Sequence, residues 1–268
     1  MSGEPLAIPL VGVVPAAGTA TRLGRAPLSK ELLPLAYRRG EDGGLRTLTP
    51  CDRVLSGMAA AGIRRAVVVV REGKWDLPAW LIDGAEVGLD IAWRVVRATA
   101  SVPETLAAAA PFVAGCRVAL GFPDILLHPS DAFAPVAERL AATGADLALG
   151  LFPTDRPDKS DMVELDAGGR PRRLWIKTGR ADLRYMWGVA VWAPSFTELL
   201  CRRVEQQRTA PEAAAGQAAE LWVGDLFQQA IDGGMRVEAV PFPDGWLLDV
   251  GTAEDLQRAV ERLRNQEP

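Results

Sequence analysis

The run Ala66-Val67-Val68-Val69-Val70 has no polar face. A strand built this way has to be covered on both sides, which happens in parallel sheets flanked by helices. The residues before it, Ala60-Ala61-Gly62-Ile63, end a helical stretch and feed the strand directly. The same unit recurs through the first half of the chain. Strands are predicted at Ile8–Val14, Ala66–Arg71, Ile91–Val96 and Arg117–Phe122, with helical spacing at Pro50–Ala61, Asp76–Asp83 and Pro103–Ala110 between them. Apolar strands alternating with crossover helices indicate an α/β fold, a doubly wound and mainly parallel sheet.

The second half has a different rhythm. A helix at Asp131–Ala142 and a strand at Asp146–Phe152 precede three β-like segments, Met162–Leu165, Arg172–Lys177 and Tyr185–Trp192. Turns at Asp166-Ala167-Gly168-Gly169 and Thr178-Gly179-Arg180 separate these segments, which read as a small antiparallel extension of a mixed sheet. Helices at Ser195–Gln207 and Asp225–Asp232, strands at Arg236–Pro241 and Trp246–Val250, and a helix at Ala253–Arg264 complete the pattern. The Ala-rich stretch Pro211–Ala219 reads as a loop or a loose helix. With 268 residues and no repeat or long linker, one domain is expected over 1–268. The change of rhythm divides it into two halves, at about 1–130 and about 131–268.

Bulk properties narrow the partners. The formal net charge of −4 gives the surface no general reason to bind nucleic acid, although a local basic pocket remains allowed. No run of 18 or more apolar residues occurs, and MSGEPLAIPLVGVV lacks a basic n-region, so neither a membrane span nor a signal peptide is expected. Cys51, Cys116 and Cys201 are too scattered for a disulfide framework or a zinc site, which suits a reducing, cytoplasmic setting. The single histidine, His128, lies in a loop-like LHPSD context, and a surface role is expected for it. Trp75, Trp80 and Trp93 read as core residues, with an oligomer interface as the alternative.

The chemistry concentrates after the first strand. Val13-Val14-Pro15 runs into Ala16-Ala17-Gly18-Thr19-Ala20-Thr21-Arg22, and Ser29-Lys30-Glu31-Leu32-Leu33-Pro34 follows. Small side chains let backbone N–H groups approach an anion closely. Arg22 can fork onto phosphate oxygens, and Lys30 supplies a compact charge. Neither the dinucleotide fingerprint nor the P-loop pattern is present. Two acids end apolar runs further along, Asp124 in Leu120-Gly121-Phe122-Pro123-Asp124 and Asp249 in Leu247-Leu248-Asp249-Val250-Gly251-Thr252. Open α/β sheets bind ligands at such strand ends.

These segments resemble the motifs of the sugar-1-phosphate nucleotidyltransferases, in order from Val11 to Leu256. The Pro-Ala-Ala-Gly opening is similar to the uridylyltransferase branch, and Ser-Lys-Glu-Leu-Leu-Pro to the thymidylyltransferase branch. The resemblance implies a Rossmann-like sheet of nucleotide-diphospho-sugar transferase type. It also implies that Ala16, Ala17, Gly18, Thr19, Ala20 and Thr21 wrap the nucleotide while Arg22 and Lys30 hold the triphosphate. Asp124 and Asp249 would jointly hold Mg²⁺, which takes few carboxylates and completes its shell with substrate phosphates. Lys177, in Arg173-Leu174-Trp175-Ile176-Lys177, would contact the acceptor phosphate. Arg97 and Ser101 fall in the stretch corresponding to the base-reading loop.

Several positions depart from the family pattern. Ala20 replaces a glycine, and Gly24-Arg25-Ala26-Pro27 shortens the loop. Ile176 stands where a glutamate is usual, Asp161 where a glycine is usual, and Trp187 where a small polar residue is usual. The expected reaction is transfer of a nucleoside monophosphate from an NTP, with dTTP or UTP favoured, to a sugar 1-phosphate or a phosphorylated cyclitol or polyol, releasing pyrophosphate. A homo-oligomer is allowed. The alternatives are a cytidylyltransferase acting on a polyol phosphate or phosphonate, and a catalytically silent nucleotide-binding protein.

Overall fold

The computed structural model of the chain describes residues 8–18, 28–39, 43–211 and 219–264. The strands, in chain order, are β1 (Leu10–Ala16), β2 (Ala36–Arg39), β3 (Leu45–Leu48), β4 (Arg65–Arg71), β5 (Asp90–Val96), β6 (Arg117–Leu120), β7 (Ile125–His128), β8 (Leu147–Pro153), β9 (Asp161–Leu165), β10 (Pro171–Ile176), β11 (Tyr185–Trp192), β12 (Val237–Pro241) and β13 (Trp246–Asp249). The helices are α1 (Pro50–Ala60), α2 (Asp76–Leu81), α3 (Val102–Ala109), α4 (Phe133–Thr143), α5 (Pro194–Thr209), α6 (Val223–Asp232) and α7 (Ala253–Arg264).

The central sheet runs β12-β8-β11-β6-β1-β4-β5. Every neighbouring pair in it is parallel except those made by β11, which lies antiparallel to both β6 and β8. The valine run explains why both faces are covered. Val68 and Val70 join one core with Leu55 and Met58 of α1 and Phe133 and Leu140 of α4. Val67 and Val69 join the opposite core with Leu106 of α3, Phe196 of α5 and Phe227 of α6. Side chains alternate across a strand, so one apolar run feeds two helical layers. The sheet is therefore doubly wound and mixed.

Local signals place the helices well. The first turn of α1 begins at Thr49, whose hydroxyl accepts from the Asp52 N–H (3.2 Å) while Asp52 Oδ2 accepts from the Thr49 N–H (3.0 Å), with Pro50 at the first position. Three features depart from the sequence reading. Of the three β-like segments, only β9 and β10 form the antiparallel extension, whereas β11 enters the central sheet, where its last three residues pair with β6. The hairpin β2–β3 was not expected, because Ala36-Tyr37-Arg38-Arg39 is charged and has no apolar face to mark it as a strand. The third is a two-stranded ribbon of β7 and β13, antiparallel, with Asp249 opposite Ile125. One face of β13 carries Trp246 and Leu248 into a small core with Ala259 and Leu263 of α7.

Trp75 and Trp80 are 55% and 45% exposed, which corrects their reading as core residues, while Trp93 is half-buried. His128 is exposed and stacks on Trp246. No helix among the described residues is long and apolar enough to cross a membrane. The expectations for residues 212–218 lie outside the described residues.

Candidate active site

Parallel pairing brings the carboxyl ends of β1, β4, β5 and β6 to one edge of the sheet. Ala16 lies beside Val70, Arg71 beside Val96, and Leu120 beside Val13. The loop after β1 leaves at this edge with Ala16 and Ala17 buried and Gly18 exposed. Thr19, Ala20, Thr21, Arg22 and the shortened stretch Gly24–Pro27 lie outside the described residues. The chain resumes in a one-turn 3-10 helix, Lys30–Leu32. Both oxygens of Asp76, at the start of α2, accept from Ser29, one from the N–H (2.6 Å) and one from the hydroxyl (2.9 Å), which fixes where that turn begins.

Lys30 points at the loop after β6. Its ammonium forms a hydrogen-bonded ion pair with Asp124 Oδ2, and both side chains are nearly buried. Gly121, which begins that loop, sits against α1: an added Cβ would lie 2.5 Å from Met58 Cε and 2.7 Å from Val54 Cγ1. The β7–β13 ribbon then carries Asp249 to the same place, with the Val250 N–H donating to the Asp124 carbonyl (2.8 Å). Burial opposes the charge on Lys30, but Asp124, Asp249 and Glu31 outweigh it and hold its pKa above the ordinary lysine value. The local field thus favours positive charge between two carboxylates. Among the described residues no group of three or more His, Cys, Asp or Glu side chains is placed to hold a metal ion. A pair of carboxylates is nevertheless the protein share that Mg²⁺ commonly takes, the remainder being water and substrate phosphate, so the donor set fits that ion.

A second cluster forms around the extension. Ile176 pairs with Asp161 across β10 and β9, and the Trp187 indole N–H donates to Asp161 Oδ2 (3.3 Å). Burial pushes the Asp161 carboxyl up, partly offset by Trp187 and Lys177. Lys177 takes a left-handed backbone (φ 48°), uncommon for a residue with a Cβ, and its ammonium lies 3.4 Å from the centre of the Trp222 ring. All four residues assigned to the acceptor side therefore lie together. Trp187 also packs against Phe122 (ring centroids 5.9 Å apart), two residues before Asp124, which joins this cluster to the acidic pair.

The base-reading candidates lie at the far side of the same edge. Arg97 follows β5 and is exposed. Ser101 caps α3, its hydroxyl accepting from the Glu104 N–H (3.3 Å). A cavity of about 450 Å³ lies elsewhere, between the β2–β3 hairpin and α2, lined in part by Arg38, Thr47, Asp52 and Trp80. None of the candidate site residues lines it.

No family model matches the chain. The glucose-1-phosphate thymidylyltransferase of Actinoplanes sp. is 28% identical to it over 256 residues, covering 94% of this chain and 78% of that protein. A Bacillus anthracis structure described as a candidate glucose-1-phosphate thymidylyltransferase superposes with a TM-score of 0.79 at 18% identity, covering 97% of each chain. The UTP-bound UGPase of Acinetobacter baumannii superposes with a TM-score of 0.74 at 15% identity, covering 97% of this chain and 95% of that one. The fold is that of the sugar nucleotidyltransferases. The same architecture accounts for the clustering at the carboxyl edge, because open α/β sheets gather their ligand-binding loops there.

Sequence reasoning overlooked several residues here. Lys74, Asp76, Phe122 and Trp222 contact the loops or the candidate residues directly, and Glu31 is buried at 1% exposure. Lys74 had no local signal, because a lysine in the Glu72-Gly73-Lys74 turn after β4 ordinarily reaches solvent.

Proposed function

We propose that the chain is a nucleotidyltransferase that joins a nucleoside monophosphate, from dTTP or UTP, to a phosphorylated small molecule of the sugar 1-phosphate, cyclitol or polyol type. The observation that carries this reading is the meeting of Asp124, Asp249 and Lys30 at the carboxyl edge of the sheet. The likeness to the Actinoplanes enzyme over 94% of the chain supports it.

In the proposed reaction an acceptor phosphate oxygen attacks the α-phosphorus, the bond to the β-phosphate oxygen breaks, and pyrophosphate leaves. The attacking phosphate is already ionised near neutral pH, so the chain needs no general base. Mg²⁺, held by Asp124 and Asp249, would supply charge neutralisation for the triphosphate. Lys30 would turn from Asp124 toward the phosphates, and Arg22 would share that role. Lys177, on a stiff left-handed turn, would hold the acceptor phosphate. Positioning and electrostatics are the terms these residues can supply.

Asp161, Ile176 and Trp187 reshape the acceptor pocket. A carboxylate and a broad ring in place of small groups favour an acceptor other than plain glucose 1-phosphate, such as an amino-bearing or otherwise modified sugar or a cyclitol. The test is a pyrophosphate-release screen of four NTPs against a panel of phosphorylated sugars, cyclitols and polyols with Mg²⁺. Turnover with dTTP or UTP is expected. Selectivity for CTP with a polyol phosphate or phosphonate would favour a cytidylyltransferase instead. Tight NTP binding without any turnover would identify a silent nucleotide-binding protein.

A further inference from the structure

Lys74 has no part in the reaction as drawn, yet it is 8% exposed and its ammonium is fully engaged. An ammonium has three N–H donors. One reaches the Ala16 carbonyl (2.9 Å), one the Gly18 carbonyl (3.4 Å) and one Glu31 Oε1 (2.8 Å). Burying such an ion pair is a poor way to gain stability, because apolar side chains of similar size do as well or better. The positions of the acceptors suggest another purpose. One is the carbonyl of Ala16, the last residue of β1, one is that of Gly18 in the loop that follows, and the third belongs to the residue next to Lys30. The lysine itself sits in the turn that closes β4, its N–H bonded to the Arg71 carbonyl (3.0 Å).

A peptide unit is planar and trans, so its carbonyl and N–H point in opposite directions. Drawing the Ala16 carbonyl down onto Lys74 therefore sends the Ala17 N–H of the same unit away from Lys74. Glu31, held by the same ammonium, fixes the turn that presents Lys30. One buried cation thus sets both limbs of the candidate phosphate site.

We propose that Lys74 is a positioning residue. Resting on the nucleotidyltransferase reading, it orients Ala16–Gly18 at the end of β1 and, through Glu31, the Lys30 turn for the triphosphate, without touching substrate itself.

The test compares Lys74→Arg, Lys74→Met and the double variant Glu31→Gln/Lys74→Met with the wild type. The single Lys74→Met change strands a buried carboxylate and should melt lower. The double variant leaves no orphan charge, so it should melt close to the wild type while still lacking the loop anchor. Its KM for the NTP should rise roughly tenfold or more, with the acceptor KM within about twofold, and Lys74→Arg should recover part of the loss. A double variant that folds normally and keeps its NTP KM would overturn the proposal. If the wild type turns over no NTP and acceptor, the functional reading fails separately. Amide exchange over Ala16–Gly18 without nucleotide then decides the matter for Lys74. Faster exchange by about tenfold or more in the double variant supports the anchor, and unchanged exchange refutes it.

Discussion

Gly188 is one point at which the central sheet closely approaches the ribbon bearing Asp249. A Cβ built on it would lie 2.2 Å from Leu247 Cδ1 and 2.9 and 3.1 Å from two ring carbons of Phe152. The Leu247 methyl ends a flexible side chain and can swing away. Phe152 cannot do so easily, being fully buried and stacked on Phe242 with ring centroids 4.9 Å apart. Overpacking of this kind costs about 1–3 kcal/mol, and each kcal/mol lowers Tm by roughly 2–4 °C in a chain near this size. Gly188→Ala should therefore lower Tm by roughly 2–12 °C. The functional cost should be larger than the stability loss implies. Leu247 and Asp249 are two residues apart on β13 and share a face, so the part of the strain that rotation of the Leu247 side chain does not relieve falls on the strand that carries the carboxylate. Misplacing a reacting group by an ångström can cost on the order of 100-fold in rate. Differential scanning fluorimetry and pyrophosphate release read the two effects separately. Adding Leu247→Ala to Gly188→Ala should recover turnover by making room. A Gly188→Ala protein with unchanged Tm and turnover would mean that the sheet and ribbon are not coupled as described.

Other consequences follow from the same contacts. Asp124→Asn and Asp249→Asn should each reduce turnover by about 100-fold or more while the circular dichroism spectrum stays native, and full activity in either would remove the acidic pair from the chemistry. EDTA should abolish pyrophosphate release and Mg²⁺ should restore it. Lys177→Met should raise the acceptor KM about tenfold or more and leave the NTP KM within about twofold; the reverse split would move Lys177 to the nucleotide side. Asp161 has a raised folded-state pKa because of burial, so its protonated form favours the folded state. Its contribution is fully present below the ordinary carboxylate pKa and is lost as pH rises through the raised value. Asp161→Asn should accordingly raise Tm near pH 7–8 and change little near pH 4, and a uniform shift at both pH values would contradict that assignment.

Much of the fold is local enough to be written in the sequence. Val67 to Val70 demand two apolar faces, and the Thr49-Pro50-Cys51-Asp52 cap starts α1 where the sequence pattern places it. The loop after β1 and the two acids at strand ends could likewise be picked out, since their residue types sit next to recognisable strands, whereas Asp161, Ile176, Lys177 and Trp187 stood out only through the family resemblance. Tertiary structure decided which of them meet. Ile125–His128 is only four residues long and follows directly on the Asp124 loop, so nothing local marks it as a strand. It becomes one by pairing with β13, more than a hundred residues later, and that pairing sets Asp249 beside Asp124. The tie from Lys74 to Ala16, Gly18 and Glu31 likewise spans 43 to 58 residues. Periodicity and capping depend on near neighbours, whereas a hydrogen bond or ion pair between distant segments exists only once the sheet has brought their strand ends to one edge.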